Sequence, residues 1–274
     1  MITSTRHPLV RALRRLHERR GRAAAGQFLV DGVRLVEEAL AAARVERVLL
    51  AEDAGARARA VADAATARGI PVTLVAPHVL AAASGVETPQ GILAVVRLPP
   101  PPPPDVLDRP DLLLVVADRL QDPGNTGTLI RVADAAGAHA VALLRGGADP
   151  YHPKVVRGTM GSLFHLPVLQ ADGPALVEAL RRRGVRVVVL DPEGAVAFRE
   201  ADYRRPLALV VGNEGAGVDP LWRAQAAQVV RVPIYGRAES LNAAVAAALV
   251  LYEAAARAPG PARAPGPGRD PPGR

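Results

Sequence analysis

A chain of 274 residues is long enough for two domains, and 49% apolar content with only 3% aromatic predicts cores of Val, Leu and Ala. The absence of cysteine excludes disulfides, thiolate metal sites and thiol catalysis; no apolar run reaches the ~20 residues of a membrane span, and no signal-peptide core stands at the start, so a cytoplasmic protein is expected. A net charge of +7 favours a polyanionic partner such as nucleic acid, although Lys154 is the sole lysine and Arg, Ala, Gly and Pro abound, a composition that coding bias also produces.

Leu9, Leu13 and Leu16 fall on one face of a first helix, with Arg11, Arg14 and Arg15 opposite and Arg19, Arg20 and Arg22 following. That basic face either grips phosphates, setting affinity without reading sequence, or is simply solvated. QFLVDG then reads as a strand, followed by a helix with Val33, Val36 and Leu40 inward. RVERVLLA, PVTLVA and GILAVVRL read as strands separated by helices. This alternation predicts a small, parallel-leaning α/β domain over residues 1–98. Pro99–Pro104 is six consecutive prolines, a stiff extended segment that makes residues 99–110 a linker.

A second domain is expected over residues 111–257. DLLLVVADRL is a continuous apolar run, typical of a parallel strand buried on both faces. Further strands follow in GAHAVALL, HLPVLQ, VRVVVLD, PLALVVG and VVRVP. The last leads through Pro233 and Gly236 into Glu239–Ser240–Leu241–Asn242, the opening of a helix apolar nearly all round. Such a helix is buried on most faces, by a sheet or by a second copy of the chain. Residues 258–274 are Pro, Gly and Arg and should be disordered.

Three loops follow strands, where parallel α/β sheets bind ligands. The first, Asp122–Pro123–Gly124–Asn125–Thr126–Gly127, leads to Arg131; Asn125 can cap the helix. It lacks the G-K-[ST] ending of a P-loop and the spacing of GxGxxG. In the second, Gly212–Asn213–Glu214–Gly215–Ala216–Gly217, glycines admit a flat ligand close to the backbone. There Glu214 is a base, a hydroxyl acceptor or a helix cap. The third runs from Gly236 to Asn242 and is either a ligand site or a well-made helix cap. The six histidines form no HxxxH pattern, and Asp118, Asp122, Asp134 and Asp191 lack a metal-loop spacing. No metal is expected.

DPGNTGTLIRVADAAG, VVGNEGAGVDP and VPIYGRAESLNAAVAAALVLYE, in that order, resemble the three motifs of the SPOUT superfamily, SpoU/TrmH type. These are RNA ribose 2′-O-methyltransferases that use S-adenosylmethionine. YHPKVVRGTMGSLFHLPV resembles the family's segment between the first two motifs. The likeness covers about Leu112–Glu253, and residues 1–98 resemble the ribosomal-protein-like, RNA substrate-binding α/β domain often found in front. Tyr235 stands where many relatives have methionine, and Ala243 where many have valine.

The resemblance implies an α/β fold whose C-terminal parallel-sheet domain is tied in a trefoil knot, and a homodimer with its active site at the interface. Gly212, Val232, Pro233, Ile234 and Leu241 match cofactor-contacting positions. Asn125, Arg131, Glu214, Ser240 and Asn242 match the polar active-site set. Arg11, Arg14, Arg15 and Arg19 are then the expected RNA-gripping residues. The resemblance gives Arg131 a general-base role, but a guanidinium scarcely deprotonates in a protein; a phosphate clamp or stabilisation of a developing alkoxide suits it better. Ribosomal RNA is favoured over transfer RNA, because relatives with this front domain mostly act there. A catalytically idle RNA-binding or ribosome-assembly factor is the alternative, which the intact polar set argues against.

Overall fold

The structure, a computed structural model, describes residues 1–257; the tail expected to be disordered, residues 258–274, lies outside them. The chain opens with α1 (Pro8–Arg15), which starts where the His7 ring accepts the Leu9 amide and which buries Val10 and Leu13. α2 (Arg19–Ala25) stops at Gly26, whose φ of 64° is a left-handed cap that favours glycine. There follow β1 (Gln27–Asp31), α3 (Val33–Ala42), β2 (Val45–Ala51), α4 (Ala56–Ala67), β3 (Val72–Val75), α5 (Pro77–Ser84) and β4 (Ile92–Arg97). α3 turns Leu35, Val36 and Ala39 inward, while Val33 and Leu40 are only half-buried.

The first sheet has the order β1-β4-β2-β3. It is mostly antiparallel, because β4 runs against both neighbours and only β2 and β3 are parallel. The expected parallel-leaning sheet is therefore corrected. Alternation of strands and helices says nothing about the slot a strand enters. β4, buried from Ile92 to Val96, takes an inner one, between β1 and β2.

Between the sheets no helix or strand is formed over residues 98–103, and Pro103 has polyproline dihedrals of φ −62° and ψ 142°. From Pro104 to Asp108 the chain winds into a short 3-10 helix, so the expected linker is not extended throughout.

The second unit contains β5 (Leu113–Ala117), α6 (Pro123–Ala135), β6 (Ala140–Leu144), α7 (Pro153–Thr159), β7 (Val168–Ala171), α8 (Gly173–Arg182) and β8 (Arg186–Leu190). It closes with β9 (Val196–Ala197), β10 (Leu207–Val211), α9 (Pro220–Gln225), β11 (Gln228–Arg231) and α10 (Ala243–Ala256). Its sheet order is β7-β6-β5-β10-β8-β11-β9, and every pairing is parallel.

Successive strand residues point to opposite faces, and both faces are covered. Leu113, Val115 and Leu209 pack with Leu129 of α6 and Val250 of α10. Leu114, Val116 and Val210 pack with Leu180 of α8 and Trp222 of α9 on the other side. That is why these strands are apolar without alternation.

α7 stitches the two units together. Val156 lies in the first unit's core, and the rings of Phe28 and Tyr151 meet at 5.0 Å. Arg22, 2% exposed, pairs with Asp149 at 2.5 Å and donates to the carbonyls of Leu16 and His17. Arg22 thus leaves the basic face on which the sequence placed it. It is a buried cross-link, whereas Arg11, Arg14, Arg15 and Arg19 are exposed.

Candidate active site

From β5 the chain builds outward through β6 to β7, and β10 returns to the other flank of β5. A crevice opens at such a switch point, at the carboxyl ends of the strands. The last paired residues there are Ala117 and Val211. The loops beyond them meet: the Asp118 amide donates to the Val211 carbonyl, and buried Asp118 accepts the Asp219 amide at 2.7 Å.

The β10 loop is closed on itself. Asn213 and Gly217 exchange backbone hydrogen bonds of 3.0 Å, and a Cβ on Gly212 would sit 2.5 Å from the Gly217 carbonyl carbon. Only glycine permits that approach. Asn213 Oδ1 accepts the amides of Gly215 and Ala216, and its Nδ2 donates to the Arg119 carbonyl at 2.8 Å.

This turn aims Glu214 across the crevice. Its carboxylate accepts the Gln121 amide at 3.0 Å, the Asp122 amide at 3.2 Å and Asn125 Nδ2 at 2.9 Å. Asn242 Nδ2 then donates to Asn125 Oδ1 at 2.7 Å. One hydrogen-bonded bridge, Glu214–Asn125–Asn242, thereby joins all three loops. Burial pushes the Glu214 carboxyl upward, but the hydrogen bonds from Asn125 and the two amides outweigh it, and the net shift is downward. Glu214 is therefore an ionised acceptor and suits an organising role better than a base.

The helix caps differ from expectation in one place. Asp122, not Asn125, caps α6, accepting the Asn125 amide at 2.7 Å with Pro123 beside it. Asp followed by Pro is a start signal legible in sequence; it leaves the Asn125 side chain to the bridge. Asn242 does cap α10, its Oδ1 accepting the amides of Ala244 and Val245. The cap reading of that segment holds, and the same side chain also joins the bridge through its Nδ2.

Arg131 and Ser240 are exposed and lie outside this bridge; neither makes a side-chain hydrogen bond or ion pair among the described residues. Val232 and Pro233 are half-buried, while Ile234 and Leu241 are 38% and 39% exposed. No group of three or more potential metal ligands occurs among the described residues, and none of their helices is long and apolar enough to cross a membrane. Sequence reasoning gave no role to Gln121 or to Asn213 within its loop, and weighed Asp118 only as a metal ligand. Their position directly after the two strand ends was the available signal.

Fold and bridge together define an α/β protein with three hydrogen-bonded loops at the carboxyl ends of a parallel sheet. Residues 112–252 match the SpoU rRNA Methylase family, and residues 7–94 match the MRM3-like substrate binding domain. The chain belongs to the SpoU rRNA methylase family. It is 38% identical over 251 residues to a Bacillus subtilis (strain 168) 23S rRNA (guanosine(2553)-2′-O)-methyltransferase, covering 92% of this chain and 97% of that one. A Streptomyces viridochromogenes 23S rRNA (uridine(2479)-2′-O)-methyltransferase is 36% identical over 246 residues, covering 87% and 86%. The crystal structure of an AdoMet-bound rRNA methyltransferase from Sinorhizobium meliloti is similar with a TM-score of 0.83 at 33% identity, covering 92% of this chain and 96% of that one.

Proposed function

We propose that this chain transfers a methyl group from S-adenosylmethionine to a ribose 2′-hydroxyl of ribosomal RNA. The observation that carries the reading is the Glu214–Asn125–Asn242 bridge across the crevice of a chain in this family. The backbone offers a fit to the cofactor: between Val232 and Leu241 no N–H or C=O takes a hydrogen bond among the described residues. Unspent donors and acceptors beside half-buried Val232 and Pro233 suit the edges of an adenine and the polar end of a methionine. Gly212, Val232, Pro233, Ile234 and Leu241 would hold it.

S-adenosylmethionine supplies a methyl on a sulfonium, open to in-line attack. The chain's own task is to align the 2′-oxygen and manage its proton. Asn125 and Asn242 are held rigid by their mutual bond and by Glu214, and they position the ribose; Ser240 lies three residues before the α10 start and joins them. Arg131, without a side-chain partner among the described residues, clamps the neighbouring phosphate or stabilises the developing alkoxide. Arg11, Arg14, Arg15 and Arg19 grip RNA from the first unit.

Two features of the family's architecture are part of this reading. Arg231 donates to the Gly194 and Ala195 carbonyls, and Arg257 to those of Arg199 and Ala201. This supports threading of the C-terminal segment through the loop after β8 as a trefoil knot, an exception to usual chain topology. Val245, Leu249 and Tyr252, spaced i, i+4, i+7 on α10, are 48%, 42% and 56% exposed. That apolar stripe supports a homodimer, which also brings a partner surface to Arg131. Ribosomal RNA as substrate supports a cytoplasmic enzyme.

The test is transfer of labelled methyl to bulk rRNA and tRNA from a strain lacking the gene, followed by nucleotide mapping. Label on a 2′-oxygen of rRNA is expected, and label confined to tRNA moves the substrate. Cofactor and RNA binding without label, on naked RNA and on assembling particles alike, leaves the idle assembly factor.

A further inference from the structure

At the opposite, amino-terminal ends of the second sheet's strands, where β8 and β10 begin, lies a cavity of about 440 Å³ lined by Gly184, Arg186, Arg204, Arg205, Pro206 and Ala227. Arg186 and Leu207, the first residues of those strands, are register partners. Five-residue strands place these ends on the order of 15 Å from the crevice. It is a separate site.

The charges here are not balanced. Arg186 and Arg204 share one carboxylate, Asp202, at 3.4 and 2.7 Å. Asp111 is engaged by Arg109 and His139. Arg205 has no ion pair among the described residues. Its one hydrogen bond is a long one, 3.3 Å, to the Asp111 carbonyl. It is half-buried, so that desolvation pushes its guanidinium downward from the ordinary value. A partly desolvated cation with most of its five N–H donors unspent gains strongly from an anion that binds them in pairs. The cations also continue past the cavity: Arg181 and Arg182 end α8 and Arg183 caps it, just before Gly184, and their ion-pair partners among the described residues are Glu178 and Asp108. A row of guanidiniums suits a polymer of phosphates better than one small anion.

We infer that the Arg186–Arg204–Arg205 cavity is a second RNA-backbone site, which takes phosphodiester groups of the substrate RNA remote from the methylated ribose. The inference rests on the proposed reaction with RNA. An RNA held at both ends of the strands must wrap the sheet, which a large folded ribosomal RNA can do and an isolated nucleoside cannot. Contacts of this kind set affinity and orientation without reading bases.

The experiment compares the full chain with Arg204→Gln/Arg205→Gln for binding of a transcribed 23S rRNA fragment across a range of KCl concentrations. Methyl transfer and S-adenosylmethionine binding are followed in parallel. The expected result is roughly tenfold weaker RNA binding near physiological salt, a salt dependence shallower by about two ions, and unchanged cofactor affinity. Equal affinity and slope in the variant, with wild-type methylation intact, overturn the site alone. A wild type that neither binds nor methylates RNA overturns the site and the proposed function together. Should the variant fail to fold, phenylglyoxal modification of the wild type decides: RNA must protect Arg204 and Arg205, and unaltered reactivity refutes the inference.

Discussion

At the scale of single residues, the site separates groups that are held from groups that wait. Glu214, Asn125 and Asn242 are bound to one another, whereas Arg131 is exposed on α6 with no side-chain partner among the described residues. Arg131→Ala is therefore expected to abolish methyl transfer while S-adenosylmethionine affinity, read by calorimetry, changes little; full activity would remove Arg131 from the mechanism.

Asp31 shows the opposite arrangement. Burial raises its carboxyl to about 6 against a partial counter-effect of Arg157, and its Oδ1 is buried with no hydrogen-bond partner. Because the folded value lies above the unfolded one, its contribution is most favourable below the ordinary range near 3.8 and is lost as pH rises through about 6. Asp31→Asn should stabilise the protein at about pH 8 by about 2 kcal/mol, and the gain should shrink toward zero at about pH 4. Urea denaturation at the two pH values checks this, and equal effects at both would show that the carboxyl is not strained by ionisation.

Among the elements, α6 and α7 cross at glycines. A Cβ on Gly127 would lie 2.7 Å from the Val155 carbonyl oxygen and 2.9 Å from Gly158 Cα. Both obstacles are backbone, so a larger residue must push the helices apart. Gly127→Ala should cost about 1–3 kcal/mol, read as a fall in denaturation midpoint. Activity should drop as well, since α6 carries Asn125 and Arg131. In the motif this glycine looks like part of a ligand loop; in the structure its task is packing. α1 and α2 carry a parallel lesson, because helical periodicity cannot distinguish an arginine that faces solvent from Arg22, drawn inward by Asp149.

For the whole molecule, the exposed stripe of Val245, Leu249 and Tyr252 is the surface that a second copy is proposed to cover. Leu249→Glu, a charge in that stripe, should yield monomers by sedimentation and lower methyl transfer at least tenfold if the site is completed across the interface. Monomeric wild type would refute the dimer. The two relatives of similar identity modify a guanosine and a uridine respectively, so base choice does not follow from family membership. In the proposed reaction, base choice falls to the first unit and the exposed loops, through RNA shape and unpaired bases.

Much of this protein was determined by its sequence alone. Unbroken apolar runs required strands covered on both faces, and the three ordered motifs pointed to the loops that the structure brings together. Both signals are local, set by side-chain period and by residue types at fixed spacing. Tertiary structure decided the rest: the antiparallel slot of β4, the burial of Arg22, the Glu214–Asn125–Asn242 bridge and the half-burial of Arg205 without an ion pair among the described residues. Each depends on a partner more than fifty residues away or on a neighbouring strand, and pairing at that distance is chosen by burial and hydrogen bonding in three dimensions, which no local pattern records.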